Sequence, residues 1–126
     1  MMTVLKLFLC LLISIVSASP PKLLPFQSHF DLVENISFVL PCTLLSDGGQ
    51  STTFQWTVNG VQLENSSDNR IDTSSSKLSF LTIHNLQRQH DGTYECRAVN
   101  SFGEADVTRT KINVQGNVAL NALMCR

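Results

Sequence analysis

The sequence predicts a small all-β domain folded as a sandwich of two antiparallel β-sheets. Apolar and polar residues alternate along several short segments, turn-forming residues separate these segments, and no helical period competes until the last residues. Seven or eight short strands in about 100 residues are typical of two sheets packed face to face. A chain of 126 residues has room for one such domain and excludes a second.

The first 18 residues have the features of a secretory signal peptide. Lys6 precedes an apolar run over residues 7–16, and Ala18 supplies the small residue that the cleavage rule requires. This run is too short to cross a membrane, and no later stretch is apolar over the length of a span. We therefore expect cleavage after Ala18 and a mature chain that is secreted or lies on the outer side of the plasma membrane.

A leading edge strand is expected within residues 19–35, because the prolines at its start keep the chain extended and remove hydrogen-bond donors. A half-buried strand follows, in which alternate residues face the core. Its expected inward-facing residues are Ile36, Phe38, Leu40, Cys42 and Leu44. The residues between them, such as Val39, are then expected to face outward.

The dipeptide Asn59-Gly60 predicts a tight hairpin between two further short strands. The apolar residues that alternate around this turn are Phe54, Trp56, Val58, Val61 and Leu63. The stretch 64–76 is rich in Asn, Ser and Asp, so we expect a loop there, with a short strand around Arg70 and Ile71.

Three strands are expected in the remainder of the domain. Their predicted inward-facing residues include Leu81, Ile83, Tyr94, Cys96 and Ala98. The last strand covers residues 104–114, and its apolar residues fall into two sets that are out of phase with each other. This phase change predicts a β-bulge between Val107 and Ile112.

The charges exclude one class of partner. Nine Lys and Arg residues are interspersed with ten Asp and Glu residues, which gives a formal net charge of −1. Such a chain lacks the basic surface of a nucleic-acid-binding protein. Charge alone identifies no other partner.

The sequence contains no pattern for catalysis or for metal binding. His29, His84 and His90 do not have zinc-ligand spacing. There is neither a nucleophile-elbow motif nor a glycine-rich phosphate loop. We therefore expect a binding protein that is not an enzyme, uses no cofactor or metal, and has another protein as its partner.

Cys42, Trp56, Tyr94 and Cys96 occur with the spacing of the immunoglobulin fold. Further matching segments are Leu81-x-Ile83-x-x-Leu86, Gly92-x-Tyr94-x-Cys96 and Ala98-x-Asn100-x-x-Gly103-Glu104. In these residues the chain resembles the I-set branch of the immunoglobulin superfamily over nearly the whole predicted mature chain. The resemblance implies a disulfide between Cys42 and Cys96 that crosses the core, with Trp56 packed against it.

One position departs from the family pattern. The family usually reads Asp-x-Gly-x-Tyr-x-Cys, whereas here His90 takes the Asp position and Asp91 follows one residue later. The usual partner of that Asp is an Arg at the start of the fourth strand, and Arg70 is present, so an ion pair between Asp91 and Arg70 is an open question. His90 either makes this end of the domain pH-sensitive or is an exposed loop residue without effect.

The opening segment 20–26, together with Phe54-x-Trp56 and Asn59-Gly60, is similar to the variable seventh immunoglobulin domain of arthropod Down syndrome cell adhesion molecules (Dscam). Shortened chelicerate members of that family place such a domain directly after the signal peptide. The resemblance implies cell–cell recognition by homophilic binding, or by binding another immunoglobulin-domain protein. It also implies further extracellular domains, a membrane span and a cytoplasmic tail beyond these residues.

Two other functions are compatible with the sequence. One is a secreted single-domain binding protein of arthropod immunity, with a foreign partner bound by the loops. The other is a structural spacer domain within a larger ectodomain.

Three outward-facing apolar residues are candidates for an interface: Val39, Leu78 and Phe80. Together with Thr82 they are expected to form one exposed patch, which suits self-association because aromatic anchors carry much of the energy of interfaces. The alternative is that flanking strands or an adjacent domain cover them. Asn35 and Asn65 begin N-glycosylation sequons in predicted loops.

Residues 116–126 follow the predicted last strand and contain Cys125, the third cysteine of the mature chain. As a genuine terminus, this tail would be an amphipathic turn with a thiol able to pair between chains. As an artefact, it would be read-through past an exon boundary. We favour the artefact, because a secreted domain rarely ends in an unpaired cysteine beside apolar residues.

Overall fold

The computed structural model describes residues 19–116, which form a sandwich of two β-sheets with one short 3-10 helix. The elements are β1 (Lys22–Leu23), β2 (His29–Val33), β3 (Phe38–Ser46), β4 (Thr52–Val58), β5 (Val61–Gln62), β6 (Asn69–Ser75), β7 (Leu78–Ile83), the helix Arg88–His90, β8 (Gly92–Asn100) and β9 (Ala105–Gln115). The first sheet has the order β1-β3-β7-β6, and the second sheet has the order β2-β9-β8-β4-β5. The predicted β-sandwich is confirmed.

In the first sheet, β3 pairs antiparallel with β7, and alternate residues of β3 face the core. The buried residues of β3 are Leu40, Cys42 and Leu44. The prediction for Ile36 is wrong, because Ile36 precedes the strand and is exposed. A turn through Asn35, whose φ is 67°, comes first and delays the start of β3 to Phe38.

In the second sheet, Asn59 and Gly60 join β4 to β5 with φ values of 50° and 81°. Positive φ at both central residues suits a type I′ hairpin turn, as the sequence predicts. The central strand β8 pairs antiparallel with both β4 and β9, whereas β2 runs parallel to β9 over five residue pairs. The second sheet is therefore mixed rather than purely antiparallel.

The prediction of a single leading strand is wrong. The chain forms β1 in the first sheet and then crosses to form β2 in the second sheet. Two hydrogen bonds attach the chain to β9 around this crossing. The N–H of Leu23, at the end of β1, donates to Asp106 Oδ2 at 2.8 Å, and the Phe26 N–H in the crossing segment donates to Thr108 Oγ1 at 2.7 Å. Pro25 lies between these two residues, and its ring has no N–H that would need a partner.

The predicted bulge in β9 is also wrong. Residues 92–99 of β8 pair with residues 105–112 of β9 without any register shift. The change of phase in the sequence arises because Asp106 and Thr108 point inward, where they accept hydrogen bonds from the crossing segment. The strand therefore continues while the polarity of its inward positions changes.

The short strand predicted around Arg70 and Ile71 is longer than expected, because β6 extends from Asn69 to Ser75. It is paired antiparallel with β7, with a register shift between Asp72 and Ser75. Pairing with β7 gives strand structure to a segment whose composition favours a loop.

The core lies between the two sheets and is crossed by the disulfide Cys42–Cys96, as the resemblance implies. Trp56 packs in this core, stacks with Phe26 at a ring-centroid distance of 6.0 Å, and donates from Nε1 to Ser79 Oγ at 2.9 Å. The other buried apolar residues are Leu23, Leu40, Leu44, Leu81, Ile83, Leu86, Tyr94, Ala98, Ile112 and Val114.

Candidate protein-binding surface

The candidate interface residues lie on the outer face of the first sheet. Six residues from β3 and β7 are paired there in register: Val39 opposite Thr82, Pro41 opposite Phe80, and Thr43 opposite Leu78. Directly opposed residues of an antiparallel pair lie on the same face, so these six side chains are contiguous. We refer to them as the outer-face patch.

The outer-face patch combines four apolar side chains with two threonines and is unevenly exposed. Val39 is 50% exposed, whereas Leu78 and Phe80 are half-buried. Phe80 lies between Pro41 of β3 and Asp72 of β6, so flanking strands cover part of its ring. The predicted outward orientation thus agrees with the structure, and partial coverage by neighbouring strands is also observed.

Two residues of opposite charge, Arg70 and Asp72, border the outer-face patch on β6. Arg70 lies opposite Thr82 and Asp72 lies opposite Phe80, which places both on the same outer face. Within the described part of the chain, Arg70 forms no ion pair. The sequence predicts only a short strand around Arg70 and Ile71 within a loop, and so does not identify Arg70 and Asp72 as part of this surface.

At the opposite side of the core, Tyr94 fixes the corner between the 3-10 helix and β8. Its hydroxyl donates to the His90 carbonyl oxygen at 2.6 Å. Burial raises the pKa of Tyr94 to about 12, and the negative charge of Asp91 contributes to the rise. Asp91 Oδ1 accepts a hydrogen bond from the Val114 N–H. Asp91 is therefore bound to the β9 backbone and is not paired with Arg70.

His90 is not an exposed loop residue, because its side chain is only 12% exposed. Its Nδ1 accepts a hydrogen bond from the Gln87 N–H at 2.9 Å, so the neutral ring carries its proton on Nε2. Nε2 is buried and lies 3.6 Å from Asp68 Oδ2, beyond hydrogen-bond distance. The alternative of an exposed histidine at this position is wrong.

Both sequon asparagines are exposed on the surface. Asn35 lies in the turn between β2 and β3, where its Oδ1 accepts from Gln87 Nε2 at 3.1 Å. Asn65 lies in the loop before β6, where its Oδ1 accepts from the Ile71 N–H at 2.6 Å. The two sites are thus attached to different parts of the domain.

Phe102 is a second exposed apolar feature. It lies in the turn between β8 and β9 and is 61% exposed. Asn100 Oδ1 accepts from the Phe102 N–H at 3.0 Å and fixes the backbone of this turn. Alternation along strands gives no signal for a single loop residue, so the sequence does not identify Phe102 as a candidate.

Within residues 19–116 there is no group of three or more His, Cys, Asp or Glu side chains arranged to hold a metal ion. The same residues contain no helix with the length and hydropathy that crossing a membrane requires. The predicted signal peptide 1–18 and the tail 117–126 with Cys125 lie outside the described residues.

Comparisons with known proteins agree with this geometry. The profile of the immunoglobulin domain family matches residues 20–100. Titin of Drosophila melanogaster is 36% identical over 96 residues, which is 72% of this chain and a share of titin that rounds to 0%. Human neural cell adhesion molecule 1 is 27% identical over 76% of this chain and 11% of its own length.

The chain therefore spans only a small part of these curated relatives. Among solved structures, the Dscam1 Ig7 domain, isoform 5, superposes with a TM-score of 0.70 and 25% identity, covering 79% of this chain and 100% of that domain. Titin domain M4 superposes with a TM-score of 0.67 at 18% identity, which bears on the fold alone. The family profile covers more than half of the chain, and the chain belongs to the immunoglobulin domain family.

Proposed function

We propose that this chain is an extracellular recognition module of a cell adhesion receptor, of the I-set type and Dscam-like, which binds a second copy of itself. The function is binding rather than catalysis. The observation that carries the proposal is the outer-face patch, a mainly apolar surface on a sheet whose other face already fills the core.

The charges beside the patch support pairing of two identical copies. In a two-fold symmetric interface, every contact between a residue of one copy and a second residue of the other copy is repeated in reverse across the axis. Consider two copies whose outer faces stack on each other, with the two-fold axis between the sheets and perpendicular to the strands. In this arrangement β6 of one copy lies against β6 of the other copy and runs antiparallel to it. Arg70 of each copy then meets Asp72 of the other, which fixes the register of the pair.

The relatives give a second line of support. Neural cell adhesion molecule 1 is named for adhesion, and the chain resembles one of its segments at 27% identity. The Dscam1 Ig7 domain is matched at 25% identity over its full length. Residues 1–18 act in this proposal as the signal peptide, and residues 19–115 form the domain that reaches the cell surface.

The proposal is tested by sedimentation of the glycosylated mature domain at concentrations up to tens of micromolar, where a binding energy of about 7 kcal/mol is still detected. We expect concentration-dependent dimers. Phe80→Glu places a charge in the patch and is expected to abolish the dimer, with little change in the melting temperature.

The matched control is Val61→Glu, which adds the same charge at a residue 67% exposed on β5 of the second sheet. It is expected to dimerise like the wild type. A wild type that stays monomeric, or a Phe80→Glu variant that dimerises normally, would contradict the proposal.

The exposed Phe102 favours a second candidate function, a secreted binding protein of immunity that contacts a foreign partner through its loops. We infer for this case that the wild type binds intact bacterial cells and that Phe102→Ala weakens this binding. A domain that neither dimerises nor binds cells would support the third function, that of a structural spacer within a larger ectodomain.

A further inference from the structure

The strand β6 ends the first sheet, so one side of its backbone faces away from β7. Exposed sheet edges of this kind pair with strands of other chains unless something covers them. The opposite edge, β1, is only two residues long and is flanked by Pro21 and Pro25, which cannot donate to an added strand. The edge that needs protection in this sheet is therefore β6.

The loop that precedes β6 already occupies part of this edge. Asn65 Oδ1 accepts from the Ile71 N–H at 2.6 Å, so a side-chain amide takes the place of a neighbouring strand's carbonyl. Ser66 makes two more such bonds: its Oγ accepts from the Asn69 N–H at 3.2 Å, and its N–H donates to the Asn69 carbonyl oxygen at 2.9 Å. Backbone groups at the start of β6 therefore already have hydrogen-bond partners within the chain.

Two of these edge-covering residues belong to the sequon Asn65-Ser66-Ser67. An N-linked glycan is attached through Nδ2 of the asparagine, and Oδ1 remains a hydrogen-bond acceptor. The bond from Ile71 to Asn65 Oδ1 is therefore compatible with glycosylation of the same side chain. Asn65 is exposed, so an attached oligosaccharide has space outside the edge.

We propose that Asn65 carries an N-linked glycan that covers the outer edge of β6 and excludes the pairing of this edge with another strand. In the transfer, Nδ2 loses one proton and forms a bond to the anomeric carbon of an oligosaccharide. The bond from that carbon to its lipid diphosphate carrier breaks, and the lipid diphosphate leaves. Association of two copies is thereby confined to the outer-face patch, a consequence that rests on the proposed function.

The first test is glycopeptide mass spectrometry of the full chain secreted from insect cells. We expect a peptide that contains Asn65 with the mass of an N-acetylglucosamine-based oligosaccharide attached. An unmodified Asn65 in the secreted protein would overturn the proposal, whatever the state of Asn35.

The second test uses Ser67→Ala, which destroys the sequon and keeps the side chains of Asn65 and Ser66 that bind β6. We expect this variant to form species larger than a dimer in sedimentation velocity and to bind a cross-β dye. Ser37→Ala is the matched control, because it removes the sequon at Asn35, away from β6, and should sediment like the wild type. A Ser67→Ala variant that also sediments like the wild type would refute the role of the glycan.

The double variant Phe80→Glu/Ser67→Ala separates this proposal from the proposed function. Pairing through uncovered β6 edges does not need the outer-face patch, and it joins only two copies because each copy has one open β6 edge. The double variant is therefore expected to form dimers, whereas Phe80→Glu alone stays monomeric. A wild type that never dimerises would contradict the proposed self-recognition and would leave the proposal for the Asn65 glycan unaffected. A double variant that stays monomeric would show that the large species of Ser67→Ala form through the patch alone, which would contradict the covering of the β6 edge by the glycan.

Discussion

The inner faces of the two sheets both line the core but differ in chemistry. On β3 and β7 of the first sheet the buried residues are apolar, apart from Ser79, which is bound to the Trp56 indole. On β9 of the second sheet, Thr108 and Thr110 are buried as well. At Thr108 the difference arises because β9 meets the backbone of the crossing segment, whose Phe26 N–H needs an acceptor. The buried hydroxyl of Thr110 has no such partner among the described residues.

An inward-facing strand residue is apolar where it packs against other side chains, as Leu40 and Leu81 do. Where it faces a backbone, the same position supplies a hydrogen-bond partner. Four variants test the contrast, beginning with the bond that joins the two inner faces.

Replacing both Cys42 and Cys96 by alanine is expected to cause the largest loss of stability. The bond closes a loop with a sequence separation of 54 residues. On the chain-entropy estimate, its removal lowers the free energy of unfolding by roughly 4 kcal/mol. Urea unfolding followed by tryptophan fluorescence measures this loss, and a loss below about 1 kcal/mol would show that the bond contributes little.

Thr108→Val keeps the shape of the side chain and removes the acceptor of the Phe26 N–H. Because that N–H is then left without its partner, we expect a loss of about 1 to 3 kcal/mol in the free energy of unfolding. Hydrogen exchange at the Phe26 amide should become faster. Unchanged exchange and stability would mean that water replaces the hydroxyl without cost.

Tyr94 is expected to make the domain less stable at alkaline pH. Its pKa is raised to about 12 in the folded state, above the ordinary value of 10.0, so the unfolded state releases the hydroxyl proton at lower pH. Stability from this group is complete below pH 10 and is lost as the pH rises from about 10 to 12. Melting temperatures measured across this range should fall more for the wild type than for Tyr94→Phe.

The phenylalanine variant also removes the hydrogen bond from the Tyr94 hydroxyl to the His90 carbonyl oxygen. At neutral pH it should therefore be less stable by about 1 kcal/mol. The chain contains a single tyrosine, so spectroscopic titration reports on this residue alone. Equal alkaline losses in both proteins would show that another group is responsible.

Thr110→Val is expected to have the smallest effect, with the opposite sign to Thr108→Val. Among the described residues, the Thr110 hydroxyl is buried and has no hydrogen-bond partner. Its replacement by a methyl group removes an unsatisfied polar atom, so we expect a gain of up to about 1 kcal/mol. Thermal unfolding of the two valine variants side by side measures the contrast, and a loss in both would refute it.

Sequence patterns predict much of the fold, because the alternation of apolar and polar residues follows which side chains are buried. The alternation through Leu40, Cys42 and Leu44 reflects one face packed on apolar neighbours, and these residues are buried. In β9, inward Asp106 and Thr108 have the polarity of outward residues, since their partners are backbone groups far away in the sequence. Those partners follow from the crossing of residues 24–28 between the sheets, which local patterns do not encode.

The candidate surface was predictable only in part, for the same reason. Val39 and Phe80 follow from the phase of their buried neighbours on β3 and β7. Arg70 and Asp72 belong to the surface only because β6 pairs with β7, and the composition of that segment favours a loop. Tertiary pairing decides which polar residues border an apolar patch.

The parallel pairing of β2 with β9 has a mechanical consequence. The described chain starts at Ser19, whose carbonyl oxygen faces Asn100, and ends at Gly116, which lies against Arg88 at the other end of the sandwich. Tension applied to these two ends pulls β2 and β9 in opposite directions along their common axis. Five residue pairs are then sheared together instead of being opened one after another, so this edge of the second sheet is expected to resist tension along its strands.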